Sequence, residues 1–310
     1  MKHPSNSWSA ANRSALPNTG TTWLSAHIYS RGPLDRLINL LAAPFTATVA
    51  ACLHPVSPFF FIRYGEGGPH IRLRLHVNTS HTETVRHMLK EAAGNYFSEY
   101  PSVPVSGGEM PLHDTLAFMP YQQETARYGN QHTIPLAEEQ FYLSSRLVME
   151  QLQNGAAAAS LTYGIQLHLC FFMAMQTTLA DIQRICTRFI QDWSPSLAGS
   201  MNTPEQAALI NTHMENMYRQ YAPSLLPASE TLWQQLKQGK APPALQSFTY
   251  RNSRLLQRYY HAGLAAGQLE EAFCSMMHMS HNRLGLSNAE ESWCVFLTLK
   301  CISHLYEYDR

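Results

Sequence analysis

Histidine and arginine alternate with aliphatic residues in His70, Arg72, Arg74 and His76, within the stretch FFFIRYGEGGPHIRLRLHV that runs from Phe59 to Val77. FFFIRY is apolar and aromatic, EGG can take positive φ, and the second run alternates, so the stretch predicts two strands joined by a Gly-rich turn. Successive strand side chains point to opposite faces. Ile71, Leu73, Leu75 and Val77 therefore share one face, and the four basic or potentially basic residues share the other. Such a face is either the solvated exterior of a half-buried sheet or a cationic platform for carboxylates, which the planar guanidinium fork fits well. Arg63, on the first strand, adds a further positive charge close by.

Two other segments are polar beyond their surroundings. Tyr121 to Gly129 (YQQETARYG) follows a short predicted strand, so Glu124, Arg127 and Tyr128 emerge where strand ends and loops usually build sites. The bland alternative is a surface Glu/Arg pair, which contributes little. In Met277 to Gly285 (MHMSHNRLG), His278 and Asn282 are four apart on one helix face, His281 is offset, and Arg283 follows. A histidine on a partly buried helix is commonly a hydrogen-bonded core residue. His278 and His281 are also three apart, but no carboxylate lies nearby in sequence to complete a metal set, so no metal is expected. The sequence holds no G-x-S-x-G, Walker A, G-x-G-x-x-G after a strand, H-E-x-x-H or kinase signature.

The elements that must position these residues read in order. Thr22 to Tyr29 is a strand, Pro33 opens a helix ending near Leu53, the two strands above follow, His81 to Tyr100 is an amphipathic helix, and Thr115 to Pro120 is a last short strand. This β-α-β-β-α-β order predicts a ferredoxin-like, split βαβ half. From Ile134 onward helical periodicity dominates, with prolines at 195, 204, 223, 227, 242 and 243 as punctuation; Thr203 to Tyr221 and Ser229 to Gln238 read as separate helices. The expected fold class is α+β. A disordered tail is expected over 1–20 and a single domain over 21–310, with an α/β half at 21–130 and a mostly α-helical half at 131–310.

Composition narrows the function classes. The chain has 310 residues, 45% of them hydrophobic, enough for a sizeable core. Lys plus Arg and Asp plus Glu both number 22, so no bulk attraction to nucleic acid or anionic membrane is expected. The six cysteines form no C-x-x-C and no zinc-finger spacing, and a reducing cytoplasm fits them better than an oxidising compartment. Ala156 to Leu179 is uncharged, but it contains Gln166, His168 and Gln176 and lacks a flanking basic cluster, so a buried helix is expected rather than a membrane span.

Taken together in order and spacing, WLSAHIYS, FFFIRYGEGGPHIRLRLHV, MPYQQETARYGN, AEEQFYLSSRLV and SMMHMSHNRLG resemble the elimination domain of lantibiotic dehydratases. That domain also occurs as a free-standing thiopeptide-type bacteriocin biosynthesis protein. The resemblance runs from about Trp23 to the C-terminus. It implies a partner-split dehydratase of antibiotic biosynthesis, with no cofactor. In the family a separate glutamylation domain, which uses glutamyl-tRNA, esterifies Ser or Thr of a precursor peptide, and the elimination domain expels glutamate to leave dehydroalanine or dehydrobutyrine. The chain has no room for the glutamylation domain, so another protein is expected to supply it.

Carried over by motif, Arg72, Arg74, Arg127 and His278 are the expected catalytic residues. Arg63, His70, Glu124, Tyr128, Asn282 and Arg283 are expected to bind substrate. Two departures stand out: Asn130 where related sequences continue RYG with a second glycine, and Ser144-Ser145 where they show Asp-Ser. The alternatives are the pyridine-forming cycloaddition enzyme of thiopeptide pathways and a non-catalytic subunit that binds the precursor peptide.

Overall fold

A computed structural model describes residues 20–53, 58–103, 112–155, 160–193 and 204–308. All of the expected tail except Gly20 lies outside the described residues. The N-terminal half contains β1 (Thr21–Tyr29), α1 (Leu34–Leu37), a π-helical segment (Ile38–Ala42), α2 (Ala43–Cys52), β2 (Phe59–Tyr64), β3 (His70–Asn78), α3 (Thr82–Glu99) and β4 (Thr115–Phe118). The strands form one antiparallel sheet in the order β2-β3-β1-β4, the ferredoxin-like arrangement expected. Gly67 and Gly68, with φ of 76° and 122°, supply the positive-φ corner between β2 and β3.

The alternation in β3 fixes what each face of the sheet does. Ile71, Leu73, Leu75 and Val77 are at most 1% exposed. With Leu24, Ala26 and Ile28 of β1 they join the core that α1 to α3 also enter. Each such side chain stabilises the fold by about 1.5–3 kcal/mol relative to exposure. The register pairs Trp23 with His76, Ser25 with Arg74, His27 with Arg72, and Tyr29 with His70, so these share the basic face. From β2, Phe60, Ile62 and Tyr64 pair with Arg74, Arg72 and His70 and join them.

The C-terminal half comprises α4 (Ile134–Gln153), α5 (Ser160–Met175), α6 (Leu179–Trp193), α7 (Pro204–Lys237), α8 (Pro243–Tyr260), α9 (Ala266–Leu284) and α10 (Asn288–Tyr308). It covers the β2 side of the basic face: Phe60 packs edge-on against Phe141 of α4, ring centroids 5.2 Å apart. That part of the face is therefore the floor of a cleft rather than a solvated exterior. α5 is almost wholly buried, as its uncharged sequence anticipates. No helix among the described residues is long and apolar enough to cross a membrane.

Two helical details differ from the reading of the sequence. Pro223 and Pro227 do not divide two helices; both lie inside the 34-residue α7. Four apart, they fall on one side of the helix, and burial of Leu232, Trp233 and Leu236 on the same helix keeps it continuous despite the lost donors. The helix after Pro33 is also not uniform, for it widens into a π-helical turn just before Pro44. Proline has no N–H for the usual i−4 carbonyl, and the wider turn accommodates that vacancy.

Candidate functional site

Where the basic face passes beneath the helical half, a pocket of about 230 Å³ opens. Its lining includes Arg63, Arg72, Arg74, Glu124, Arg127, Tyr128, His278, Asn282 and Arg283. Three separated segments of sequence thus converge on one cavity. Larger depressions of about 630 Å³ beside α2 and α3, and about 620 Å³ beside α4, α5 and α7, gather no comparable set of cations and titratable groups.

On the floor, the Arg72 guanidinium lies 3.4 Å from the Tyr64 ring centroid and the Arg74 guanidinium 4.4 Å from that of Tyr121. Ring quadrupoles attract the cations but leave most N–H groups free for an anion. His70 lies behind Arg72 rather than in the lining. Its Nδ1 donates to the Gly68 carbonyl at 2.8 Å, so its Nε2 accepts from Arg72 Nε at 3.3 Å. Burial and the neighbouring Arg72 lower the His70 pKa, against the upward pull of that carbonyl, and so favour the neutral acceptor. Arg74 Nε is buried and has no partner among the described residues. Burial lowers its pKa, partly opposed by Tyr121, Glu124 and Glu138. Glu138, a buried carboxylate that accepts from Gln123 Nε2 at 2.7 Å, joins the site without any local signal in the sequence.

Arg127 sits on a 3₁₀ segment, Thr125–Tyr128, that Gly129 terminates at φ 103°. A Cβ at 129 would lie 2.7 Å from both Leu264 and Thr133, so this turn requires glycine. Arg127 Nε donates to Ser275 of α9 at 3.0 Å, and Nη1 reaches Glu124 at 3.2 Å. Tyr128 is 3% exposed, and burial raises its phenol pKa and keeps it protonated. Asn130 does not take a left-handed backbone. Its Oδ1 instead accepts from the His132 amide at 2.8 Å, an Asx turn that leads into α4.

Arg283 is wholly buried, and among the described residues its guanidinium donates only from Nε, to Ser145 Oγ at 2.9 Å. Both terminal nitrogens lack partners among the described residues. Burial pulls this guanidinium down to about 9. A buried cation with idle donors is costly unless an anion arrives. The adjacent Ser144 bonds back to Gln140 and Phe141 of its own helix and offers no counter-charge.

Arg63 and Asn282 both border the pocket, and both also tie β2 to its neighbours. The Arg63 side chain lies on the opposite face from Arg72, as its register with Ile71 requires, and meets Asp35 at 2.5 Å and the Arg283 carbonyl at 2.9 Å. Asn282 exchanges two hydrogen bonds with the Arg63 backbone, at 2.8 and 2.9 Å, as a neighbouring strand would. Its amide closes the exposed edge of β2.

His278 forms the helix wall. Its Nδ1 donates to Glu291 Oε2 at 2.7 Å, and Trp193 packs beside the ring at 5.4 Å between centroids. Nε2 makes no hydrogen bond to another described residue. Glu291 is 2% exposed; burial would raise its pKa, but hydrogen bonds from His278 and His281 outweigh that and lower it, so the carboxylate is ionised at neutral pH. The carboxylate that the neighbouring sequence does not offer these histidines is supplied by packing. Glu291 comes from the next helix, brought across by the left-handed Gly285, φ 79°.

A ferredoxin-like half joined to a helical half is a fold shared with proteins of lantibiotic and thiomuracin biosynthesis. The family described as "Lantibiotic biosynthesis dehydratase C-term" matches residues 23–302, and the chain belongs to it. Among solved structures it is similar to the pyridine synthase TbtD from thiomuracin biosynthesis, with a TM-score of 0.72 and 16% identity over 92% of this chain and 99% of that one. TsrL gives a TM-score of 0.67 at 15% identity over 93% and 96%. The tRNA-dependent lantibiotic dehydratase MibB from Microbispora sp. 107891 gives 0.57 at 18% identity, with 96% of this chain matching 29% of that one. At such identities the likeness is one of fold. No curated protein sequence matches the chain.

Proposed function

We propose that the chain performs β-elimination of glutamate from glutamylated Ser or Thr of a ribosomally made precursor peptide, leaving dehydroalanine or dehydrobutyrine. The observation that carries this reading is the Arg283 guanidinium, wholly buried in the pocket lining with two idle nitrogens, in the same cleft as Arg72, Arg74 and Arg127. Such a site favours a carboxylate that leaves more than an uncharged product.

In this reaction the Cα proton departs and the Cβ–O bond breaks, so negative charge grows first on the peptide carbonyl and then on the departing glutamate. Donors fixed where that charge develops stabilise the transition state more than the ground state. Arg72, Arg74, Arg127 and Arg283 supply those donors. His278 Nε2 takes the Cα proton, while Glu291 holds Nδ1–H and stabilises the imidazolium that forms. A separate glutamyl-tRNA-dependent protein makes the ester, and this chain needs no cofactor for its step. The described thiols, five buried and Cys52 exposed, are all unpaired and suit a reducing cytoplasm.

A second reading, pyridine-forming cycloaddition, is favoured by one observation: the fold match spans 99% of the pyridine synthase chain but only 29% of the tRNA-dependent dehydratase chain. The test between them is chemical. A peptide carrying a glutamyl ester on Ser, incubated with the protein, should release free glutamate. His278→Ala should cut that rate by about 10²–10⁴ in a protein that still folds, with a melting temperature lowered by the lost hydrogen bond to buried Glu291. Glutamate release that is unaffected by the substitution would refute the assignment.

A further inference from the structure

Behind His278, away from the pocket, three buried side chains converge from three helices. His168 of α5, His281 of α9 and Cys294 of α10 place their ligating atoms within 4.8 Å of one another. All are at most 2% exposed. We propose that these residues hold one thiophilic cation, Zn²⁺ or Cu⁺, that clamps α5, α9 and α10 together.

Hydrogen bonding fixes the tautomers. Thr298 Oγ1 donates its proton to the Cys294 carbonyl at 2.8 Å, so it accepts from His168 Nδ1, also at 2.8 Å. The Glu291 carboxylate accepts from His281 Nδ1 at 3.3 Å. In both rings the Nε2 atom is left as a bare lone pair. Both are buried, and neither has a partner among the described residues. Two buried acceptors with no donor among the described residues are costly, and a cation would satisfy both at once. Each histidine also has the partner that metal-bound histidines usually have, an oxygen on the other ring nitrogen that orients the ring.

The third ligand is made room for. A Cβ at residue 164 would lie 2.9 Å from Cys294 Sγ, and the residue there is glycine. The thiol donates at a long 3.8 Å to the Leu161 carbonyl and lies beside the Thr298 hydroxyl. Metal binding breaks the S–H bond, forms a metal–sulfur bond and releases one proton to solvent; no electron moves. Tetrahedral zinc places such ligands roughly 3.3–3.6 Å apart, so side-chain shifts of about 1 Å close the set. Two nitrogens and a thiolate suit zinc with one corner left to water, and they suit three-coordinate Cu⁺ as they stand. Because Glu291 Oε2 also holds His278, the clamp would fix the carboxylate that orients the pocket imidazole without touching substrate.

Elemental analysis of the native full-length protein should find about one equivalent of zinc or copper per chain, and this assay distinguishes the two. After unfolding and refolding with Co²⁺, the protein should show near-ultraviolet thiolate-to-cobalt absorption. Cys294→Ser should abolish that absorption, and Cys301→Ser, a buried thiol on the same helix, should keep it. Refolding with chelator in place of metal should lower the melting temperature. If Cys294→Ser does not fold, His168→Gln should retain the thiolate band with an altered ligand-field spectrum. Native protein with less than a tenth of an equivalent of either metal and no thiolate absorption with Co²⁺ would overturn the proposal, as would a band that survives in Cys294→Ser.

Discussion

On the sheet wall of the pocket, Arg72 and Arg74 rest on aromatic rings, whereas on the helix wall His278 is bound to a buried carboxylate. The first wall carries positive charge with no ion pair to Arg72 or Arg74 among the described residues, and the second carries an imidazole whose proton already has a destination. A site that only bound a peptide would not need this asymmetry. One that expels an anion while moving a proton needs both walls, and neither alone suffices. Arg63 and Arg283 repeat the contrast within one contact. The former has spent its donors on Asp35 and a carbonyl, and the latter keeps two idle.

The contrast predicts opposite outcomes for two arginines. Arg283→Met should cost about 10²–10³ in elimination rate, the usual loss for removing one preorganised donor. It should leave the unfolding free energy unchanged or raise it, because an uncompensated buried charge is removed. Equilibrium denaturation beside single-turnover kinetics checks both. Glu291→Gln comes next. The hydrogen bond it weakens, from His278, belongs to the class worth about 1.5–3 kcal/mol, so kcat should fall about ten- to a hundredfold. KM should change little, because Glu291 lies behind the pocket. A change confined to KM would assign the Glu291 contact to substrate binding instead.

Arg63→Met should do the reverse of Arg283→Met. It severs hydrogen bonds to Asp35 and the Arg283 carbonyl, costing about 1–3 kcal/mol of stability with much less than a tenfold loss of rate. Thermal melts beside the elimination assay separate the two effects. The smallest effect concerns His27 on the open side of the basic face. Burial first, then Arg72, His70 and Arg74, lower its pKa to about 4. The folded state therefore binds fewer protons than the unfolded one between about 6.5 and 4, and stability is full above pH 6.5 and falls as pH drops through that window. His27→Gln should make the fall between pH 7 and pH 5 shallower, by a modest amount since the ring is half-exposed. Parallel denaturation curves at the two pH values would show it.

How far the site could be read from sequence depended on distance along the chain. The strict alternation of β3 is local, so the shared face of Arg72 and Arg74 followed from a period of two. The same rule, applied to β2, also places Arg63 opposite Ile71 and away from that face, a signal present in the sequence but unused. Glu291 was not legible, because it reaches His278 from thirteen residues on, across a helix reversal that only the packing of α9 and α10 determines. Nor was the burial of Arg283, since arginine is ordinarily solvated and nothing local shows α4 closing over it. The six elements of the sheet half emerged close to their expected bounds, because strand alternation and amphipathic helices are written in neighbouring residues. The long α7 did not, since its core contacts outweighed two prolines that read locally as a break.

The central claim is that the sheet wall receives a departing carboxylate while His278 takes the proton. The most direct measurement offers the protein, in separate reactions, a peptide bearing a glutamyl ester on Ser and one bearing two dehydroalanines, and follows both by mass spectrometry beside His278→Ala. The account predicts conversion of the ester to dehydroalanine with release of free glutamate, sharply reduced in the variant, and no change in the second peptide. An intact ester together with cyclisation of the dehydroalanine peptide would contradict it.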